Sequence, residues 1–213
     1  MSLSSHPTKV GSGAACTVLL LLLPQTSTFA HHAMGGELPA TLWDGLLSGF
    51  AHPIIGLDHF AFLLAVGLLA SATSTPLLSP LLFVGATLCG TAIHLASINL
   101  PLAELLVACS VVVVGALLFV RRRLAAVPLV GVFALAGIYH GYAYGESIVG
   151  AQQSPLLAYL VGLAAVQYII AIGVIGGMRA LETRATHLPS YGLRVGGALV
   201  TCIGLFFIAT NIL

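Results

Sequence analysis

The chain has 213 residues, of which 59% are hydrophobic and only 6% are charged, and its formal net charge at pH 7 is +1. Soluble domains carry about 25% charged residues, so this composition, with a mean hydropathy of +1.09, indicates an integral membrane protein. The sequence has no basic patch that could hold a phosphate backbone, which excludes nucleic acid as a partner. We expect an all-α fold, a polytopic bundle of transmembrane helices embedded in the lipid bilayer.

Residues 1–30 have the pattern of a signal peptide. Lys9 is followed by a short apolar run from Ala14 to Leu23, and the small residues Thr28 and Ala30 fit the last positions before a cleavage site. The apolar run is too short for a bilayer, which needs about 20 residues. We expect cleavage after Ala30, and the alternative is a retained signal anchor with the same topology downstream.

Six transmembrane spans are predicted after this leader. Residues 31–51 would form an extracytoplasmic segment, in which Glu37–Ala51 is either an interfacial helix or an extension of the first span. Residues 52–213 would form one six-helix transmembrane domain, since proline and serine clusters separate its apolar stretches. The predicted spans cover approximately 52–72, 77–98, 101–120, 124–144, 155–178 and 191–213.

The arginines predict the orientation of the chain. Arg121 to Arg123 lie between the third and fourth spans, Arg179 and Arg184 lie between the fifth and sixth, and Arg194 opens the sixth. Positive charges concentrate in cytoplasmic loops. A mature N-terminus outside the cell places all of these arginines in the cytoplasm, so we expect a multi-pass protein of the inner (cytoplasmic) membrane with its N-terminus outside.

The stretch from His52 to His59 places two imidazoles and the Asp58 carboxylate in an otherwise apolar region. An ionised residue at bilayer depth costs about 2.5–3.5 kcal/mol on insertion scales, and such residues usually line a pathway or bind a ligand. Pro53 and Gly56 weaken the helix at this point. Broken helices are how membrane transporters arrange polar groups around an ion, so the stretch predicts an ion site.

A second polar cluster runs from His140 to Glu146 in the fourth predicted span. Its histidine-to-acid spacing equals that from His52 to Asp58. Six residues of unbroken helix extend about 9 Å, too far for both side chains to hold one ion. The two glycines within the cluster predict a local break here as well.

Four further residues are candidate metal ligands. His94 and Glu104 fall in the outer half of the membrane, as do the two clusters, while His31 and His32 would begin the mature chain. Each residue also has a structural interpretation. His94 could bond a neighbouring carbonyl, Glu104 and the acid at the end of the second cluster could be solvated, and the two N-terminal histidines could form a flexible tail.

The predicted ligands favour a transition metal. Imidazole nitrogen combined with carboxylate oxygen suits Ni²⁺, Co²⁺ or Zn²⁺ better than Ca²⁺ or Mg²⁺, which prefer oxygen alone. The clusters include no thiolate, which argues against Cu⁺ and against a closed structural zinc site. A moderately tight site is what a transported ion requires, so the metal is expected as substrate and not as a resident cofactor.

These residues resemble the HupE/UreJ family of small nickel or cobalt permeases. The resemblance rests on His-Pro-x-x-Gly-x-Asp-His at 52–59 and on His-Gly-Tyr-Ala-x-Gly-x at 140–146, and it extends to the leader and the six-span layout. Many members have histidine where Tyr144 stands, and many begin the mature chain with histidine, to which His31 and His32 are similar. The resemblance implies import of Ni²⁺ or Co²⁺ and no enzymatic activity.

Missing motifs narrow the rival functions. The sole lysine, Lys9, lies in the leader, so the mature chain can have neither a Walker A phosphate site nor a retinal Schiff base. A G-x-S-x-G nucleophile elbow is also missing. The rivals are an intramembrane zinc-dependent hydrolase, in which histidine and aspartate would activate water, and a metal sensor or scaffold. Nickel and cobalt stay equal alternatives, and no oligomeric state is predicted.

Overall fold

The computed structural model describes residues 37–120, 126–184 and 188–212, and these ranges contain helices and no strand. The predicted leader, His31, His32 and the arginines at 121–123 lie outside the described residues. The all-helical expectation is confirmed. The helices are α1 (Leu42–Ile55), α2 (Leu57–Ser71), α3 (Leu78–Leu95), α4 (Ala103–Val120), α5 (Ala126–Glu146), α6 (Gln153–Arg184) and α7 (Leu188–Ile212).

Helices α1 and α2 meet at Gly56 with their axes bent by 82°. α1 begins with a capping box, in which Thr41 Oγ1 accepts from the Asp44 backbone N–H at 3.1 Å and the Asp44 carboxylate accepts from the Thr41 N–H at 2.9 Å. Gly56 is extended, with φ −70° and ψ 106°. Pro53 lies inside α1, residues 52–55 complete α1, and the break falls at the glycine, within the stretch that Pro53 and Gly56 mark in the sequence. The start of the first span at His52 stays a prediction.

Helices α1 and α6 run parallel in close contact. A Cβ on Gly45 would overlap the backbone of Pro155, and a Cβ on Gly49 would overlap the backbone of Tyr159. Small residues allow helix backbones to approach in membrane bundles. The paired residues increase together in number, which fixes the parallel direction and places the last turn of α1 beside Tyr159.

Two more pairs pack in the same way. α3 and α5 run parallel, because Gly137 faces Phe83 and Gly141 faces the backbone of Thr87. α4 and α7 run antiparallel, since Gly197 lies against Phe119 and a Cβ on Gly204 would approach the backbone of Val112. These pairs and α1–α6 have the most extensive contacts in the fold.

The helix directions alternate along the chain from α2 to α7. His59 at the start of α2 lies beside Tyr144, which accepts from Tyr159 near the start of α6, and Gly67 further along α2 contacts Val174 further along α6, so both helices lead away from the same end. We call the end where α2, α4 and α6 begin the upper end, and the end where α3, α5 and α7 begin the lower end. α2 occupies the centre of the bundle, with ten of its fifteen residues buried.

Length and hydropathy identify four helices of the described part as able to cross a membrane, namely α3, α4, α6 and Tyr191–Ile212 of α7. α1 and α2 make a fifth span if the bent pair is counted as one. α5 is not among them, and its second half carries polar side chains that include His140 and Tyr144. The count of six spans therefore stays a prediction.

Two apolar clusters lie above and below the polar side chains of α2 and α5. The lower cluster, which is larger, includes Phe62, Phe83 and Phe133. The upper cluster includes Tyr144 and Tyr159. His52, His59 and His140 lie where these two clusters meet. They therefore form a polar layer with apolar side chains above and below it.

The α3–α5 contact predicts that Gly141→Ala destabilises the fold. The added methyl would overlap the Thr87 backbone, so we expect a loss of about 1–3 kcal/mol, the usual cost of overpacking. Thermal unfolding of the purified protein in detergent measures the effect. Gly173→Ala is the matched control, because a Cβ there meets nothing within 4 Å. Equal stability of the two variants would contradict the close contact.

Candidate functional site

The fold brings four predicted site residues together although they lie on three helices. His52 is in the last turn of α1, Asp58 and His59 are in the first turn of α2, and His140 is in α5. Their exposed fractions are 2%, 2%, 4% and 0%. The ring centroids of His52 and His59 are 6.1 Å apart, and those of His59 and His140 are 5.0 Å apart.

The break at Gly56 makes this arrangement possible. In one continuous helix, His52 and His59 would lie about 10 Å apart along the axis. The bend turns α1 so that His52 comes back toward the first turn of α2. A Cβ on Gly56 would lie 2.8 Å from His59 Cδ2 and 3.4 Å from Asp58 Oδ1, so a larger residue would press on both side chains.

His59 and His140 are joined directly, with 2.9 Å between their Nδ1 atoms. On its other side, His140 Nε2 lies 2.9 Å from Ser110 Oγ, and that hydroxyl donates to the Val107 carbonyl at 2.7 Å. Because Ser110 has used its hydrogen, it accepts from His140 Nε2–H. A neutral His140 then accepts at Nδ1 from His59, which leaves the lone pair of a neutral His59 on Nε2.

His52 is held at its Nδ1 atom by two hydroxyl groups next to the upper cluster. Nδ1 lies 2.9 Å from Ser147 Oγ and 3.2 Å from the Tyr159 hydroxyl. Tyr159 donates its hydrogen to the Tyr144 carbonyl at 2.8 Å. Bonds of this kind to one ring nitrogen orient the other nitrogen of a metal-binding histidine. The sequence reasoning did not select Ser110, Ser147 or Tyr159, whose partners are distant in the chain.

Tyr144 is the most informative residue that the sequence prediction left out of the site. It is fully buried, and its ring centroid lies 4.6 Å from that of His59 and 5.1 Å from that of His52. Many members of the family that the sequence resembles have histidine at this position. The sequence therefore marked Tyr144 as unusual, but only as a lost ligand.

Two oxygen atoms of this cluster, Asp58 Oδ1 and the Tyr144 hydroxyl, are buried and have no hydrogen-bond partner among the described residues. Buried polar atoms are normally satisfied, and leaving one unsatisfied costs about 1–3 kcal/mol. Both atoms belong to residues next to His59. Both oxygens could coordinate a cation directly, or accept a hydrogen bond from a water molecule that the cation retains.

Three other predicted ligands lie apart from the buried cluster. Glu104, in the first turn of α4, and Glu146, the last residue of α5, are both exposed. His94 is half-buried at the upper end of α3, where its ring centroid lies 4.3 Å from that of Tyr142 with the two rings tilted by 50°. In the described part of the chain, no group of three or more histidine, cysteine, aspartate or glutamate side chains is spaced to hold a metal ion. The bond between His59 and His140 closes the cluster in this arrangement.

Comparisons with known proteins agree with the motifs. The model of a family described as HupE / UreJ protein matches residues 19–207. Protein HupE of Rhizobium leguminosarum bv. viciae is 28% identical over 190 residues, which cover 88% of this chain and 93% of that relative. No solved structure matches the chain.

The support of His52 predicts that Tyr159→Phe destabilises the protein. The change removes the donor to the Tyr144 carbonyl and a partner of His52, so we expect a loss of about 1–2 kcal/mol in the free energy of unfolding. Tyr168→Phe is the control, because its hydroxyl makes one long bond of 3.4 Å, to the carbonyl of the exposed Leu77. Unfolding in detergent should separate the variants, and a Tyr159→Phe protein as stable as Tyr168→Phe would show that the network contributes nothing.

Proposed function

The chain belongs to the HupE/UreJ family, and from this premise we propose that it is a secondary transporter that imports Ni²⁺ or Co²⁺ across the cytoplasmic membrane. The family is of the transporter type and is associated with nickel and cobalt uptake. The observation that carries the proposal is the buried cluster of His52, Asp58, His59 and His140 at the break between α1 and α2. The metal is the substrate of this site.

The donors of the cluster match these metals. Three imidazoles and one carboxylate are borderline nitrogen and hard oxygen ligands, which suit Ni²⁺, Co²⁺ and Zn²⁺. A single carboxylate leaves a bound divalent ion with a net positive charge, so the site would bind without trapping its substrate. The Tyr144 phenol supplies a further oxygen beside His59, at the position where the resemblance implies histidine. Zn²⁺ is the natural competitor, because it accepts the same donors.

The position of the cluster supports uptake from the outer side. Arg179, Arg184 and Arg194 are exposed at the lower end of the bundle, where α6 ends and α7 begins. Positive charges favour the cytoplasmic side, so we assign the lower end to the cytoplasm. His52 and His59 then lie near the outer end of α2. This orientation agrees with a six-span chain whose leader is removed and whose mature N-terminus is outside.

Binding would require the cluster to open. The Nδ1–Nδ1 bond joins His59 and His140 directly, and a metal ion bound between the imidazoles would replace that bond. Below them, the Phe62 ring lies 4.3 Å from the His140 ring and 5.3 Å from the Phe83 ring. We propose that metal binding separates α5 from α2 and that this movement displaces the aromatic side chains below the site.

The rival functions have less support. A zinc-dependent hydrolase must admit water and a scissile bond to the metal, and the four cluster residues are at most 4% exposed. A sensor or scaffold that does not transport would bind metal without moving it, and the uptake assay below distinguishes it from a transporter. His31 and His32 would begin the mature chain, and we propose that they help to capture the ion.

The proposal predicts that His59→Ala abolishes metal uptake. The substitution removes the imidazole that contacts His52, His140 and Tyr144. Proteoliposomes with the wild-type protein should accumulate radiolabelled Ni²⁺ or Co²⁺, and those with His59→Ala should fall to the protein-free level. His187→Ala is the matched control, because this histidine lies between α6 and α7 in sequence, and it should transport like wild type.

Two results would contradict the proposal. Wild-type protein that accumulates neither metal, although it binds one, would point to the sensor or scaffold. Unchanged uptake in His59→Ala, together with zinc retention and cleavage of a lipid or peptide by the purified protein, would favour the hydrolase.

A further inference from the structure

Gln167 of α6 has a carbonyl oxygen that the fold leaves unused. The residue is fully buried, and its Oε1 atom has no hydrogen-bond partner among the described residues. Its amide nitrogen is bonded twice, to Thr87 Oγ1 at 3.2 Å and to the Leu163 carbonyl at 3.1 Å. The nitrogen is thus held while the oxygen is available to a ligand.

The bonding partners show which end of the Gln167 side chain is the nitrogen and which is the oxygen. The Leu163 carbonyl can only accept a hydrogen bond. Thr87 Oγ1 donates its hydrogen to the Val84 carbonyl at 2.8 Å, so toward Gln167 it also acts as an acceptor. Both partners therefore require the NH₂ group, and the opposite assignment would place three acceptors together. The unused atom is the oxygen in any arrangement of these three residues.

Gln167 lies below the upper part of the histidine cluster, on the face of α6 that points into the bundle. Tyr159, which bonds His52, lies eight residues earlier on the same buried face of α6. Eight residues of helix extend about 12 Å along the axis. Thr87, which holds the Gln167 amide, packs its backbone against Gly141, the neighbour of His140. The amide is therefore next to the α3–α5 contact that carries His140.

A role in helix packing alone does not account for this residue. A buried acceptor without a partner costs about 1–3 kcal/mol, which an apolar side chain of the same size would avoid. An oxygen kept at this cost is suited to a ligand that is bound only for part of the time.

We propose that Gln167 Oε1 is a second, oxygen-only binding position for the transported divalent cation, beside the α3–α5 contact that carries His140. This inference rests on the proposed function. The amide oxygen would contact the ion directly or through a water molecule that the ion retains. A neutral oxygen binds Ni²⁺ or Co²⁺ more weakly than imidazoles and a carboxylate do. Conduction needs successive sites that release as well as bind, and this position would accept the ion as it leaves the tighter cluster.

The test uses the full-length protein in proteoliposomes with radiolabelled Ni²⁺ and, separately, Co²⁺. Gln167→Met removes the oxygen and keeps the size of the side chain. We expect the maximal uptake rate to fall about tenfold, from the loss of one polar contact, with the KM unchanged because the histidine cluster is intact. Gln153→Met, the same change at an exposed position of α6, should leave both parameters as in wild type.

Two further variants separate ligand binding from packing. Thr87→Val removes one of the two bonds that hold the Gln167 amide and keeps Oε1, so uptake should fall less than in Gln167→Met. Gln167→Glu replaces the neutral oxygen with a charge that holds a cation more strongly. We expect slower uptake and more Ni²⁺ retained after equilibrium dialysis of the detergent-solubilised protein, which a packing role would not produce.

The inference is overturned if Gln167→Met transports at the rate of Gln153→Met, or if Thr87→Val and Gln167→Met lose activity equally. If Gln167→Met does not fold, Gln167→Glu decides, and metal retention equal to that of wild type then refutes the second position. Wild-type proteoliposomes that take up neither metal would instead refute the proposed function on which the inference rests.

Discussion

Polar side chains inside an apolar helix bundle are costly unless each of their atoms has a partner, and the structure is organised around this constraint. Asp58 and three histidines are almost completely buried in the described part of the chain. The histidines meet the constraint through each other and through serine and tyrosine hydroxyls. A few oxygens do not meet it, and they lie on the residues for which we propose contact with the transported ion.

The close packing of the helices provides a frame for this polar layer. Glycines on α1, α5 and α7 bring backbones together in three helix pairs, and α2 fills the centre between them. The frame leaves little freedom to the aromatic side chains above and below the histidines. A site closed in this way can pass an ion only if helices move. The direct bond between His59 and His140 is therefore the contact that we expect to change first.

The sequence predicted much of the site because its main signal is local. His52, Asp58 and His59 lie within one short stretch with Pro53 and Gly56, so a broken helix with inward polar groups followed from residue types alone. His140 followed from a second short motif, but the helix break predicted there is wrong, because α5 is continuous from Ala126 to Glu146. In the first stretch, the sequence did not show whether the helix breaks at Pro53 or at Gly56. Proline is tolerated near a helix end, and the chain bends at Gly56, which has an extended conformation.

Other features could not be predicted because they depend on contacts between distant segments. The bond from His52 to Ser147 joins residues 95 positions apart, and that from Gln167 to Thr87 joins residues 80 apart. Spacing placed Glu146 and Glu104 in the outer half of the membrane but did not decide between a ligand and a solvated acid, and both lie at helix ends and are exposed. A regular period identifies a helix, but it does not show which of its polar residues reach the centre of the bundle.

The central claim is that imidazoles and a carboxylate of the buried cluster hold the transported metal, and X-ray absorption spectroscopy of the nickel-loaded protein tests it most directly. The account predicts a first shell of nitrogen and oxygen with the multiple scattering of imidazole, and loss of the imidazole signal in the double variant His52→Ala, His59→Ala. A shell of oxygen alone, or one that the double variant leaves unchanged, would contradict the account.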